Sequence, residues 1–168
     1  DRQKVEVSVV KKDAETQATV PGTVFGLYAK EDILAHGEVL VKADTLISKA
    51  LSDENGKAVF MNDLPFGRYY IREEAAPDGY VSSDKVVEVT AEYQGQGIPV
   101  VELSSEYENE PTKISVKKTD LTTGVELEGA KLTVLDKDGN VVDSWTSVKG
   151  EEHLIERLTV GETYTLRE

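Results

Sequence analysis

Apolar and polar residues alternate along this chain in short runs, the period-two signature of half-buried β-strands. The run Val5-Glu6-Val7-Ser8-Val9-Val10-Lys11 puts Val5, Val7 and Val9 on one face. Further runs cover Val24 to Tyr28, Val39 to Val41, Ala58 to Phe60, Tyr69 to Ile71, Val86 to Val89 and Val100 to Leu103. They are separated by Pro21-Gly22, His36-Gly37, Asn55-Gly56, Asp78-Gly79 and Gly95-Gln96-Gly97, residues that set turns. Short strands at this spacing predict an all-β, antiparallel sandwich. Lys30 to Leu34 and parts of Ala43 to Leu51 are expected to hold a helical turn.

The pattern is written twice. Ile114-Ser115-Val116-Lys117-Lys118-Thr119-Asp120 repeats the opening run and the Lys11-Lys12-Asp13 that ends it. In the second copy Asp138-Gly139-Asn140 predicts a hairpin between Leu132–Leu135 and Val141–Val142, continued by Trp145. The expected domains are a complete sandwich over 1–111 and a second one over 112–168. The chain stops at Glu168, the residue that matches Glu73 of the first copy. The second sandwich is therefore expected to be incomplete: short of its last strands, without an asparagine, and with an open edge.

Charged residues stand in phase with the core. Lys11 continues the face of Val5, Val7 and Val9, and Lys118 that of Ile114 and Val116. Two readings of such a lysine stand. Either it ends the strand and snorkels to water, or it is buried and must be neutralised or react. Partners of the right kind share its parity. Tyr69, Ile71 and Glu73 alternate on one face, as do Tyr164, Leu166 and Glu168, and Val101, Leu103, Ser105, Tyr107 and Asn109 on a last strand. Pro111 then ends pairing for want of an N–H. By parity alone Lys11, Glu73 and Asn109 converge on one core.

Composition narrows the function. Of 168 residues, 19 are Lys or Arg and 32 Asp or Glu, a net charge of -13. That excess argues against nucleic acid or an anionic membrane surface as partner. With no cysteine there is neither a disulfide nor thiol chemistry, which leaves secretion open. No stretch is apolar enough to span a membrane, and no signal peptide opens the chain. Leu64-Pro65-Phe66-Gly67 resembles a sortase signal only superficially, lacking the threonine, the hydrophobic tail and the terminal position. The expectation is a segment of a longer, anchored protein.

Several stretches together resemble the Cna B-type, or SpaA-type, repeats of Gram-positive surface adhesins and pilins. They are Lys11-Lys12-Asp13, Gly22-Thr23-Val24-Phe25-Gly26-Leu27-Tyr28, Asp63-Leu64-Pro65-Phe66-Gly67-Arg68-Tyr69, Glu73-Glu74-Ala75-Ala76-Pro77-Asp78-Gly79-Tyr80 and Glu108-Asn109-Glu110-Pro111. Lys118-Thr119-Asp120, Gly129-Ala130-Lys131-Leu132 and Tyr164 to Glu168 carry the second copy. The resemblance implies tandem prealbumin-like sandwiches and an isopeptide bond in the first. Lys11 would be the nucleophile, Asn109 the electrophile and Glu73 the promoting acid. Burial lowers a lysine pKa and raises that of a glutamate, so the amine is freed and the protonated acid can polarise the amide carbonyl. Folding supplies the proximity. Lys118 and Glu168 are the second-domain equivalents by analogy. A non-covalent buried ion pair is the alternative.

Other motifs imply less. Asp136-Lys137-Asp138-Gly139-Asn140 has no glutamate at the distance a calcium loop needs and reads as a turn. His36 and His153 lie in different copies and are expected at the surface. Tyr69, Tyr70, Tyr80, Trp145 and Tyr164 read as core or rim rather than as a sugar site. No pattern calls for a cofactor or a metal, or for an enzyme that turns over a substrate. The resulting expectation is a stalk or pilus-shaft module, extracellular and part of a cell-wall-anchored protein, with neighbouring domains of that protein as partners. The alternative is an adhesin module that grips host protein or glycan.

Overall fold

β1 (Lys4–Asp13) alternates as its sequence does, burying Val5, Val7, Val9, Lys11 and Asp13. After it come β2 (Val24–Ala29), β3 (Ile33–Ala35), β4 (Glu38–Val41), β5 (Leu46–Leu51), β6 (Lys57–Phe60), β7 (Gly67–Ala75), β8 (Val86–Ala91) and β9 (Val100–Asn109). These belong to a computed structural model that describes residues 3–60 and 63–168. One sheet is ordered β6-β1-β9, a second β5-β2-β7-β8, and β3-β4 form a separate hairpin. The two sheets enclose one core, with Val7, Val9 and Tyr107 from the first and Phe25, Leu27, Tyr69 and Ile71 from the second.

Two features of this unit depart from the sequence reading. No helix occurs among the described residues; 33–35 and 46–51 are strands instead. Leu46–Leu51 contains Lys, Ala and Leu, which favour helices, but pairing with β2 along the sheet edge overrides propensity. The sandwich is also not wholly antiparallel. β1 and β9 run parallel, in register from Lys4 opposite Val100 to Asp13 opposite Asn109. Parallel neighbours need a crossover rather than a hairpin, and the strands between them provide it by passing through the other sheet.

Contacts divide the chain into Asp1–Pro77 with Val81–Glu110, and Asp78–Tyr80 with Pro111–Glu168. Pro111 and the short 78–80 segment thus group with the second copy: Tyr80 pairs with Pro111, and the Thr112 N–H donates to the Gly79 carbonyl at 3.0 Å. This unit contains β10 (Lys113–Val116), β11 (Lys131–Leu135), β12 (Val141–Thr146), β13 (His153–Glu156) and β14 (Thr165–Arg167). Its sheets are β10-β13 and β12-β11-β14. Leu132, Val134 and Ile155 are its buried apolar side chains, while Ile114, Leu154 and Leu166 remain about half exposed.

Backbone hydrogen bonds repeat between the copies. The Lys11 carbonyl accepts the Val20 N–H and the Lys118 carbonyl the Leu127 N–H, both at 2.9 Å. Asp13 Oδ1 caps the N–H groups of Glu15 and Thr16, as Asp120 Oδ1 caps those of Thr122 and Thr123. Ser52 Oγ takes the Thr23 N–H, as Ser147 Oγ takes that of Ala130. Lys118 is therefore the topological counterpart of Lys11.

Candidate functional site

Lys11 lies near the C-terminal end of β1, opposite Tyr107 in the parallel register. Asn109 is two residues beyond Tyr107, so the period of two returns it to the same face of the same sheet. Glu73 comes from β7 of the facing sheet, opposite Phe25. Amine and amide thus reach the core from one layer and the acid from the other. All three are buried: Lys11 is 0 %, Asn109 2 % and Glu73 8 % exposed. Snorkelling is excluded for Lys11, which has no exposed surface.

The amide is gripped by its nitrogen. Asn109 Nδ2 donates to Glu73 Oε1 at 2.8 Å, to Oε2 at 3.1 Å and to the Val81 carbonyl at 2.7 Å. Glu73 Oε2 also accepts the Ser83 N–H at 2.9 Å. Asn109 Oδ1 is buried and finds no hydrogen-bond partner among the described residues. The expectation that the acid polarises the amide carbonyl therefore changes. Two acceptors, the Glu73 carboxyl and the Val81 carbonyl, turn the donor end of the amide toward themselves. Glu73 sits on the amide nitrogen, not on the oxygen.

Lys11 Nζ donates to the Lys12 carbonyl at 3.2 Å. Burial pushes its pKa down from 10.5 to about 8; Glu73, then Asp13 and Glu108, pull it upward without overcoming that loss of solvent. Near neutral pH about one molecule in ten then holds the neutral, nucleophilic amine. Phe25 and Tyr107, the register partners of Glu73 and Lys11, meet edge to face at 5.3 Å. Asp13, 1 % exposed, and the backbone of Val81 and Ser83 are site groups that the sequence reading missed. Asp13 was legible, since it shares the parity of Lys11. The backbone groups leave no mark in a sequence.

The second unit differs. Lys118 Nζ lies 2.7 Å from Glu168 Oε2, but both side chains are solvent-exposed in part. Such a pair contributes about 0–1 kcal/mol. His153 was expected at the surface; instead it lies half-buried on β13, stacked on Trp145 at 3.9 Å, with Nε2 2.8 Å from Asp143 Oδ2. A flat ring sandwiched on an indole is covered on one face whatever the charge of its sequence neighbours. His36 is exposed in the β3–β4 turn. Asp136 Oδ1 caps the N–H groups of Asp138 and Asn140, closing a plain turn. Tyr69 is core, with its hydroxyl donating to the Pro65 carbonyl, and Tyr70 stacks on Tyr28. Tyr164 accepts the Thr159 N–H through its hydroxyl.

The family model described as SpaA, a prealbumin-like fold domain, matches residues 5–106 and 112–168. Among solved structures the chain is similar to the Bacillus anthracis TIE protein, at 22% identity and a TM-score of 0.62, over 99% of this chain and 29% of that one. It is similar to the full-length major pilin SpaD of Corynebacterium diphtheriae (16% identity, TM-score 0.51, 84% of this chain and 46% of that one). BcpA, the major pilin subunit of Bacillus cereus, matches at 18% identity and a TM-score of 0.50, over 84% and 48%. The chain therefore spans less than half of each of these proteins, and at such identities the likeness speaks for the fold. No curated protein matches the sequence.

Proposed function

We propose that this chain, which belongs to the SpaA family of prealbumin-like fold domains, is a load-bearing segment of a pilus shaft or adhesin stalk on a Gram-positive cell surface. Its first unit is locked by an isopeptide bond between Lys11 and Asn109. The observation that carries the reading is the buried lysine, carboxyl and amide, with the carboxyl on the amide nitrogen.

The reaction balances within the three side chains. The neutral Lys11 amine attacks Asn109 Cγ, and Glu73 takes the proton that the amine must shed. Glu73 then passes that proton to Nδ2, already within hydrogen-bond reach. Nδ2 leaves as ammonia and an Nζ–Cγ amide remains. Placement, rather than an external catalyst, lowers the barrier. Each chain reacts once, on itself, so the chemistry is not enzymatic turnover.

The bond would change how force travels. β1 opens the first unit and β9 closes it. Tension entering along β1 would cross from Lys11 to Asn109 and leave, so the intervening chain carries none of it. Single-molecule pulling tests this. Lys11→Ala is expected to release about 30 nm when the first unit unfolds, the reach of roughly 97 residues, whereas the native protein shows almost no extension from that unit. Equal extension in the two would refute the mechanical role.

A second reading, a module that grips host protein or glycan, rests on one feature of the first unit. An open cleft of about 810 Å³ is bordered by Gln3, Asp63, Tyr93 and the Gly95–Gly97 loop, and Tyr93 is more than half exposed. Loss of surface binding on Tyr93→Ala, with the cross-link intact, would favour it.

A further inference from the structure

The segment 81–85, between β7 and β8, touches two of the three groups of the proposed reaction with its backbone. The Val81 carbonyl accepts Asn109 Nδ2 at 2.7 Å, and the Ser83 N–H donates to Glu73 Oε2 at 2.9 Å. A segment of exposed and half-buried residues holds such geometry only if it is itself fixed. It is pinned at both ends. The Val81 N–H donates to the Glu110 carbonyl at 2.9 Å, one residue past Asn109. At the other end the Tyr107 hydroxyl donates to the Lys85 carbonyl at 2.8 Å and lies 3.4 Å from that of Ser83. Between the pins, Ser83 Oγ accepts the Lys85 N–H at 3.2 Å.

Tyr107 is wholly buried, so its hydroxyl is the one polar atom of a side chain otherwise suited to the core. Phenylalanine would fill the same space beside Phe25. We propose that Tyr107 is a positioning residue for the cross-link: its hydroxyl anchors the 81–85 segment, which in turn aims the Asn109 amide and the Glu73 carboxyl at each other. This rests on the cross-linking reading above. Tyr107 takes no part in the proton transfers. It acts by holding the segment whose Val81 carbonyl keeps the amide nitrogen against the acid.

The test is the rate of cross-linking after folding. Native-sequence and Tyr107→Phe chains are assembled by chemical synthesis in guanidinium, so that neither has yet folded, then folded by dilution over a range of pH and sampled by intact mass. Both are expected to fold alike, by far-UV circular dichroism. Rates in both should rise with pH as the Lys11 amine loses its proton, with the same midpoint, because the burial of Lys11 is unchanged. The plateau should fall about tenfold to a hundredfold in Tyr107→Phe, the scale of a sub-ångström to one-ångström misplacement. A shifted midpoint with an equal plateau would mean that Tyr107 only shields the amine, and would overturn the proposal. So would a plateau within twofold of native.

Should Tyr107→Phe fold poorly, Ser83→Ala removes only the hydroxyl that accepts the Lys85 N–H and leaves the core untouched. It is expected to slow the reaction a few-fold, and an unchanged rate would count against the segment's role. If the native protein itself never loses ammonia, the cross-linking reading fails and takes the positioning role with it. If the native protein reacts and both variants match it, the positioning role alone fails.

Discussion

Replacing Glu73 by glutamine removes the proposed proton carrier while keeping an oxygen for the Asn109 amide to donate to. Lys11 then stays an amine in the core. Its pKa of about 8, against 10.5 for the exposed side chain, measures what that burial costs. Each unit corresponds to about 1.4 kcal/mol, so the charged lysine costs the fold about 3 kcal/mol. Losing the Glu73 charge lowers the folded value further and makes this a lower bound. Because the folded value lies below the unfolded one, the unfolded chain binds the extra proton between them, and stability rises with pH across that window. About 2 kcal/mol of the cost should disappear between about pH 7 and about pH 9.5. Cross-linked as proposed, the native protein has no Lys11 amine left to titrate. It also gains the entropy of a closed ring of about 100 residues, about 4–5 kcal/mol by analogy with a disulfide. The native protein should therefore exceed Glu73→Gln by about 7–8 kcal/mol at neutral pH. Guanidinium unfolding of both proteins, followed by circular dichroism, reads that gap at each pH. Groups common to both cancel in the difference. A gap that stays constant or widens as pH rises would refute the argument that Lys11 is buried as an amine and consumed by reaction.

An amine-reactive label applied to the folded protein should modify Lys118, which is partly exposed beside Glu168, and leave Lys11 untouched even after subsequent unfolding. Labelling of Lys11 on unfolding would contradict its conversion to an amide. At Gly56 φ is +74°, and a Cβ would stand 2.7 Å from the Lys11 carbonyl oxygen. Gly56→Ala should therefore destabilise the first unit by more than about 1 kcal/mol, read as a lower unfolding midpoint in a background that cannot cross-link. An unchanged midpoint would mean the turn relaxes freely.

Much of the site was legible because a strand writes its two faces in alternate letters. Lys11, Glu73 and Asn109 each keep the phase of their apolar neighbours, and that phase survives whatever the strand order. Strand order itself is not written so. Nothing in β1 or β9 taken singly shows that they lie parallel, since that depends on the path of nearly ninety intervening residues. The strand at 46–51 was obscured by residues that favour helices and by burial too shallow to alternate cleanly. The orientation of the Asn109 amide was hidden for another reason. It is set by the Val81 carbonyl, a group every residue has. Lys118 shows the converse: the same letters in the same phase, placed where the lysine remains partly exposed, do not make a buried site.

The intact mass of the folded protein, followed by sequencing of its proteolytic peptides, tests the central claim most directly. Cross-linking expels ammonia, so the native protein should weigh about 17 Da less than its sequence requires. One branched peptide should join the segments around Lys11 and Asn109, and Glu73→Ala should restore the full mass with the fold retained. A well-folded native protein at its full sequence mass, yielding separate linear peptides for Lys11 and Asn109, would contradict the account.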